Sequence, residues 1–210
     1  VGDGFYGANG NGSMDNNLVA APVQGLPSGI TNIVSRYNGA YFLTNSGEVY
    51  SVGYGSLGAN GNGSANNNLI AAPVQGLPSG ITNIVSRYDG AYFLTNSGEV
   101  YSTGSGSLGA NGNGSGDNNL VAAEVQGLSS DITDVVSRDA YGTYFLTSSG
   151  QVYSVGSGNY GANGNGNADY NLIAAPVQEL PSDITNIIGR NEGGYFLTSS
   201  GEVYSVGNGG

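Results

Sequence analysis

The chain has 210 residues, 39 of them glycine, with 15 carboxylates, 4 cationic side chains and a net charge of −11. That balance excludes the basic footprint that nucleic acid or an anionic membrane surface requires. Cysteine and histidine are absent and every cation is arginine. This removes disulfides, thiolate and imidazole chemistry, Schiff bases and Cys- or His-ligated metals.

Along the chain the first landmark is Gly-Ala-Asn-Gly-Asn-Gly at Gly7, repeated at Gly58, Gly109 and Gly161, with spacings of 51, 51 and 52 residues. The extra residue lies in the third copy, within Ser137–Gly142. A period of this length is the signature of a repeat architecture. The chain reads as a single repeat domain over 1–210, with units 1–51, 52–102, 103–154 and 155–205 and a closing strand end at 206–210.

The second unit shows the elements in order. A Gly-rich loop (Gly53 to Ser64) leads to Asn68–Gln75. Leu77-Pro78-Ser79-Gly80 separates that segment from Ile81–Arg87, and Ala91–Thr95 and Glu99–Thr103 follow. The apolar stretches are short, rich in Val, Ile, Tyr, Phe and Thr, and bounded by Gly, Pro, Asn and Ser, which predicts strands. Asn96-Ser97-Gly98-Glu99 supplies the glycine of a tight hairpin. No segment has a helical apolar period, and no run of about 18 apolar residues could span a membrane. Tyr92-Phe93-Leu94 is apolar on both faces, as expected of a sheet packed between neighbouring sheets. The predicted fold is all-β: a β-propeller of four tandem four-stranded antiparallel blades of about 51 residues. An outer strand at Leu18–Gln24 lacks partners and the last three strands lack an outer strand, so strand exchange between the chain ends is expected.

The unit resembles the repeat of the regulator of chromosome condensation family, a β-propeller family. The matching residues are Gly55-Ser56-Leu57-Gly58, Pro73-Val74, Ile84-Val85-Ser86, Phe93-Leu94-Thr95 and Ser97–Tyr101, repeated over essentially the whole chain. Where the family has His, this chain has Gly39, Gly90, Gly142 and Gly193. Where it has Trp, Val52, Thr103, Val155 and Val206 stand, and Arg replaces a customary Gly. The resemblance implies a protein-interaction propeller, such as a cytoplasmic guanine-nucleotide exchange factor.

All four arginines (Arg36, Arg87, Arg138, Arg190) occupy one repeat position. Acidic or aromatic neighbours include Tyr37, Tyr88, Asp89, Asp139, Tyr141 and Glu192. Guanidinium forks suit an anion or carboxylate ligand; the structural alternative is pairing with carboxylates or donation to backbone carbonyls of the next blade. Asn60, Asn62, Ser64 and Asn66 resemble the alternating oxygens of a calcium loop, but neutral oxygens favour a capped Gly/Asn turn, and no metal is expected. Asn11, Asn62 and Asn113 each open an Asn-Gly-Ser glycosylation pattern, which the fourth unit loses at Asn165. Glu48, Glu99 and Glu202 align with Gln151, which argues against a catalytic acid pair.

No catalytic residue or cofactor is therefore expected. The functional expectation is a non-catalytic binding or structural repeat protein, secreted or on the cell surface, with a protein, a glycan or copies of itself as partner. Neither nucleic-acid binding nor membrane insertion is expected. A cytoplasmic interaction propeller is the alternative.

Overall fold

The computed structural model describes residues 3–138 and 141–209. Asp139 and Ala140, within the Arg138 neighbourhood and the third-unit insertion, lie outside the described residues, as do Val1, Gly2 and Gly210. Strands dominate the described chain, with a single 3-10 turn before the first strand and one between the third and fourth strands of each four-stranded sheet.

The first sheet comprises β1 (Ile30–Arg36), β2 (Gly39–Thr44), β3 (Val49–Gly53) and β4 (Asn68–Pro73), in that order. The second comprises β5 (Ile81–Arg87), β6 (Gly90–Thr95), β7 (Val100–Gly104) and β8 (Asn119–Glu124). The third comprises β9 (Ile132–Ser137), β10 (Gly142–Thr147), β11 (Val152–Gly156) and β12 (Asn171–Pro176). The fourth has three strands: β13 (Ile184–Arg190), β14 (Gly193–Thr198) and β15 (Val203–Gly207). Neighbouring strands are antiparallel, with Tyr41 opposite Ser51 between β2 and β3 and Tyr50 opposite Pro73 between β3 and β4.

Each four-stranded sheet thus borrows its outer strand from the following unit. The segment equivalent to β4 in the first unit, Leu18–Pro22, forms no strand, and β15 has no outer neighbour in its sheet. The expected exchange between these two segments is not made in the sheets described.

The chain divides into two compact units. One is the chain through Asn96 with Tyr101–Ser105 and Asn118–Ala123; the other is Ser97–Val100, Gly106–Asp117 and the chain from Glu124. In the first, Tyr41, Leu43 and Val49 of one sheet face pack with Ile81, Ile84 and Phe93 of the next sheet. The Tyr41 and Phe93 rings meet edge to face at 5.6 Å. Phe42 points the other way and packs with Val52, Ala71, Val23 and Leu26. In the second unit, Tyr144, Leu146 and Val152 pack in the same way with Ile184, Ile187 and Phe196. Central strands covered on both faces explain why β2, β6 and β10 read as continuous apolar runs.

The borrowed strands also fix one backbone position. After Gln75 the chain turns at Gly76 (φ +80°), where a Cβ would lie 2.5 Å from Ala122 O. Gly25 and Gly127 stand in the same relation to Ala71 O and Ala174 O, at 2.5 and 2.4 Å. The equivalent residue in the fourth unit is Glu179, held at φ +60°. A non-glycine residue there carries a backbone penalty of about 1–2 kcal/mol. Glu179→Gly should therefore stabilise the chain by about 1 kcal/mol in urea unfolding. Gly76→Glu, which adds a steric clash to the same backbone penalty, should destabilise it by at least about 2 kcal/mol.

Candidate functional site

The four arginines end β1, β5 and β13 or directly follow β9. Arg36, Arg87 and Arg138 are buried, and Arg190 is partly exposed. Their guanidinium groups face inward. Arg36 Nη1 donates to Tyr54 O at 2.6 Å, and Nη2 donates to Val52 O at 3.1 Å and to Asn60 Oδ1. Arg138 Nη2 reaches Val155 O, Ser157 O and Asn163 Oδ1 at 3.1, 2.9 and 2.8 Å. Arg87 donates to Ser105 O and Thr103 O, both at 2.8 Å, and Arg190 to Asn208 O at 2.6 Å. Each guanidinium also lies over a tyrosine ring of the next strand: Tyr41, Tyr92, Tyr144 or Tyr195, at 4.8 to 5.5 Å. These carbonyls belong to the third strand of the same sheet and the loop after it, rather than to the next blade.

The Gly-Ala-Asn loop is the hub of this arrangement. Asn60 is fully buried, and its Nδ2 donates to Gly53 O at 3.0 Å and Asn66 O at 3.3 Å. Tyr41 Oη donates to Ala59 O, and Ser51 Oγ to Asn60 O at 2.8 Å. Asn68 of β4 closes the set by donating to Ser51 O at 3.1 Å. Every strand of the first sheet thus contributes a side chain to one polar cluster around this loop. The third sheet repeats the set with Arg138, Tyr144, Ser154, Asn163 and Asn171.

Burying a guanidinium costs less when its donors are matched and its face is covered; the Nη donors of Arg36 are matched and its face lies over Tyr41, while its buried Nε has no acceptor among the described residues. The same geometry explains the glycines that stand in place of the family's histidine. A Cβ on Gly39 would lie 2.2 Å from Val52 O and 3.2 Å from Arg36 Nη2, and one on Gly142 would lie 2.2 Å from Arg138 Nη2. At Gly90 and Gly193 the neighbouring strand alone excludes a side chain, with a Cβ 2.1 Å from Thr103 O and from Val206 O.

The Asn-Gly-Ser asparagines lie one turn further along the loop and are partly exposed. Asn11 and Asn62 donate from Nδ2, the atom a glycan would occupy, to Asn17 and Asn68 Oδ1 at 2.6 Å. Their Oδ1 atoms accept from Ser13 N and Ser64 N at 2.9 and 3.1 Å. Asn113 accepts in the same way from Ser115 N at 3.0 Å. Asn165 makes the same turn without the glycosylation pattern. Among the described residues no group of three or more Asp and Glu is placed to hold a metal ion, and no helix is long and apolar enough to cross a membrane.

One constellation was read only in part from sequence, which places Tyr37, Tyr88 and Asp89 beside the arginines but not Tyr6, Asn38 and Tyr54. Tyr6, Tyr37, Tyr54 and Tyr88, with Asn38 and Asp89, line a cleft of about 190 Å³ in the first compact unit, and Arg36 lies at its base. Tyr37 and Tyr88 stack at 4.8 Å, and Tyr6 and Tyr54 meet at 4.8 Å. Burial raises the Asp89 carboxyl above the usual carboxylate value, opposed by the charges of Arg87 and Arg36. Burial also raises the Tyr88 hydroxyl, reinforced by Tyr37, Asp89, Tyr54 and Tyr6. The available signal was Tyr54, which interrupts a position held by Ser105 and Ser157 in later units.

The chain is similar to human and mouse E3 ubiquitin-protein ligase HERC2, with 33% identity over 201 residues, covering 89% of this chain and 4% of each relative. No protein-family model matches it. Among solved structures, human WBSCR16 superposes with a TM-score of 0.79 at 20% identity, covering 99% of this chain and 55% of that one. Yeast RCC1 (Prp20) superposes at 0.70 and 17% identity, covering 85% and 43%. The chain is built of RCC1-like β-propeller repeats. It spans a small part of HERC2 and about half of the solved RCC1-like chains.

Two predictions follow the geometry of the clasp. Asn163→Ala should destabilise the RCC1-like fold by about 2–4 kcal/mol, because it strips an acceptor from a buried cation and leaves neighbouring carbonyls undonated. Arg138→Lys should not be neutral, since the shorter side chain does not carry its nitrogen to the position of Nη2, from which Val155 O, Ser157 O and Asn163 are all reached, and it loses the planar face over Tyr144. Urea unfolding of each variant checks both. For Asp89, a folded pKa above the ordinary value means the folded state loses stability as pH rises through that interval. Asp89→Asn should therefore be more stable than wild type at pH 7, with the difference vanishing below about pH 3.

Proposed function

We propose that this chain is a non-catalytic protein-interaction module that acts through self-assembling contacts, joining copies of itself head to tail by strand pairing at the β15 edge. The observation that carries this reading is a pair of complementary defects. β15 has an open edge, and the sheet face beside it is bare: Tyr195 is 47% exposed, Leu197 37% and Val203 63%, where Tyr144, Leu146 and Val152 of the third sheet are 6% exposed or less. Leu18 and Val19, equivalent to the start of an outer strand, are 88% and 76% exposed, and Ile33 on the leading face of the first sheet is 63% exposed. An apolar strand edge and an unused matching strand favour β-augmentation.

The loops complement each other as well. Each Gly-Ala-Asn loop serves the sheet that precedes it, and the first such loop, at Gly7, precedes every described sheet. In a joined pair, Ala8 and Asn9 of one copy would meet Arg190 and Tyr195 of the other, as Ala59 and Asn60 meet Arg36 and Tyr41. Glu179 weakens the join, because Ala20 O of the incoming strand would approach its Cβ as Ala71 O approaches Gly25. Such a contact is heterologous, so it builds either a closed ring or an open filament. A secreted or cell-surface setting, where a filament or layer would serve, belongs to this reading.

A protein-binding role also fits the solved relatives. Yeast RCC1 was solved bound to Kap60, and Prp20p was characterised for binding Gsp1p and histones.

Light scattering over a range of concentrations should give a mass above 21.1 kDa that rises with concentration, or a fixed dimer if two copies close a ring. Val203→Asp should abolish association, and Glu179→Gly should tighten it by roughly fivefold or more, since it removes the Cβ that Ala20 O of the incoming strand would approach, a clash of about 1 kcal/mol. A constant monomer mass for wild type, or association unaffected by Val203→Asp, would overturn the proposal.

A further inference from the structure

At the tyrosine cleft the repeat pattern is broken in favour of a surface feature. Tyr54 stands where later units carry Ser105, Ser157 and Asn208, and Tyr37 and Tyr88 align with Asn191 of the fourth unit. The backbone at these positions does the same work whichever side chain is present. Tyr54 N donates to Asn38 O, Ser105 N to Asp89 O, Ser157 N to Tyr141 O and Asn208 N to Glu192 O, at 2.8 to 2.9 Å. The fold therefore holds this turn with serine or asparagine, and the ring of Tyr54 is an addition to it.

The added rings are arranged for contact. Tyr37 and Tyr88 are 71% and 52% exposed although stacked on each other, and Phe5 packs edge to face on Tyr6 at 4.2 Å, behind the Tyr6–Tyr54 pair. The cleft so walled offers aromatic surface, phenolic hydroxyls, the Asn38 amide and the Asp89 carboxyl, hence donors and acceptors beside apolar surface.

Electrostatics narrows the ligand. The Arg36 guanidinium at the base of the cleft already donates to Tyr54 O, Val52 O and Asn60 Oδ1, so its Nη donors are turned away from an incoming anion. Arg36 and Arg87 both lie within electrostatic reach of Asp89, so an incoming cation meets two guanidinium charges for one carboxylate. A volume of about 190 Å³ falls below that of ordinary drug-sized pockets. The site suits a small neutral ring with one apolar face and a rim of hydroxyls. We infer that the cleft of Tyr6, Tyr37, Tyr54 and Tyr88, with Asn38 and Asp89, is a binding subsite for a single neutral pyranose of a glycan.

The chain has no tryptophan and 15 tyrosines, so tyrosine fluorescence and ring NMR signals report directly on such a site. The test titrates wild type with methyl glycosides of glucose, galactose, mannose and N-acetylglucosamine and with their linear oligosaccharides. The expected result is saturable binding to at least one neutral sugar. Tyr54→Ser, which installs the residue of the third and fourth units, should weaken that binding by roughly tenfold or more while keeping the unfolding midpoint near wild type. Tyr160→Leu, which installs the residue found at Leu57 and Leu108, should leave it unchanged. Acetate and methylguanidinium serve as charged probes. The inference is overturned if no sugar in the panel binds, if Tyr54→Ser binds as wild type does, or if either charged probe competes with the sugar at equal concentration.

Discussion

A buried guanidinium in contact with a glycine-rich loop is the constraint on which the rest of this structure depends. A charge placed inside a sheet protein must have its donors satisfied locally, or it costs several kcal/mol. Arg36 meets most of that demand with two carbonyls, an asparagine side chain and the face of Tyr41, and only its Nε is left without an acceptor among the described residues. Much follows from this single choice. Tyr41 must present both its ring and its hydroxyl and Asn60 must be fully buried at a turn, while Gly39 is held side-chain-free first by Val52 O. The loop glycines then let the chain pass close to the next outer strand: a Cβ on Gly58 would lie 2.4 Å from Asn119 O. Repeating the arrangement with Arg138 and Asn163 shows that it is a property of the repeat rather than of one position.

The clasp also makes each sheet depend on the unit that follows. The outer strand, the Gly-Ala-Asn loop and the apolar cover of the trailing face all come from downstream residues. Nearest-neighbour dependence of this kind is the general condition of repeat proteins, whose units cannot bury their own faces alone. It gives the fourth sheet its character. Its open edge and exposed Val203 stand at positions that are interior in the third sheet. Glu179 is the residue at which the fourth unit departs from that interior, and it bears directly on how readily another strand can be accepted there.

Much of this was legible in the sequence, for physical reasons. Strand positions followed from the short apolar runs, and the burial of β6 on both faces followed from Tyr92-Phe93-Leu94. The four arginines stood out because they share one repeat position. Their partners did not, because Arg36 and Asn60 are 24 residues apart and belong to different units of the repeat. Compensated exchanges were equally hidden. Gly29 faces Asn45 in the first unit, whereas the third and fourth units pair Asp131 with Ser148 and Asp183 with Ser199. Each substitution alone looks like drift, and only the contact shows it as one change. The tyrosine cleft was read only in part because its members are drawn from turns far apart in the chain.

The account's central claim is that copies join through β15 and the Leu18–Pro22 segment, and hydrogen–deuterium exchange at low and high protein concentration tests it most directly. The account predicts that amides of Val203–Gly207 and of Leu18–Val19 gain protection together as concentration rises, while β2, β6 and β10, already central in their sheets, stay unchanged. Association that leaves both segments as unprotected as in the monomer would contradict it.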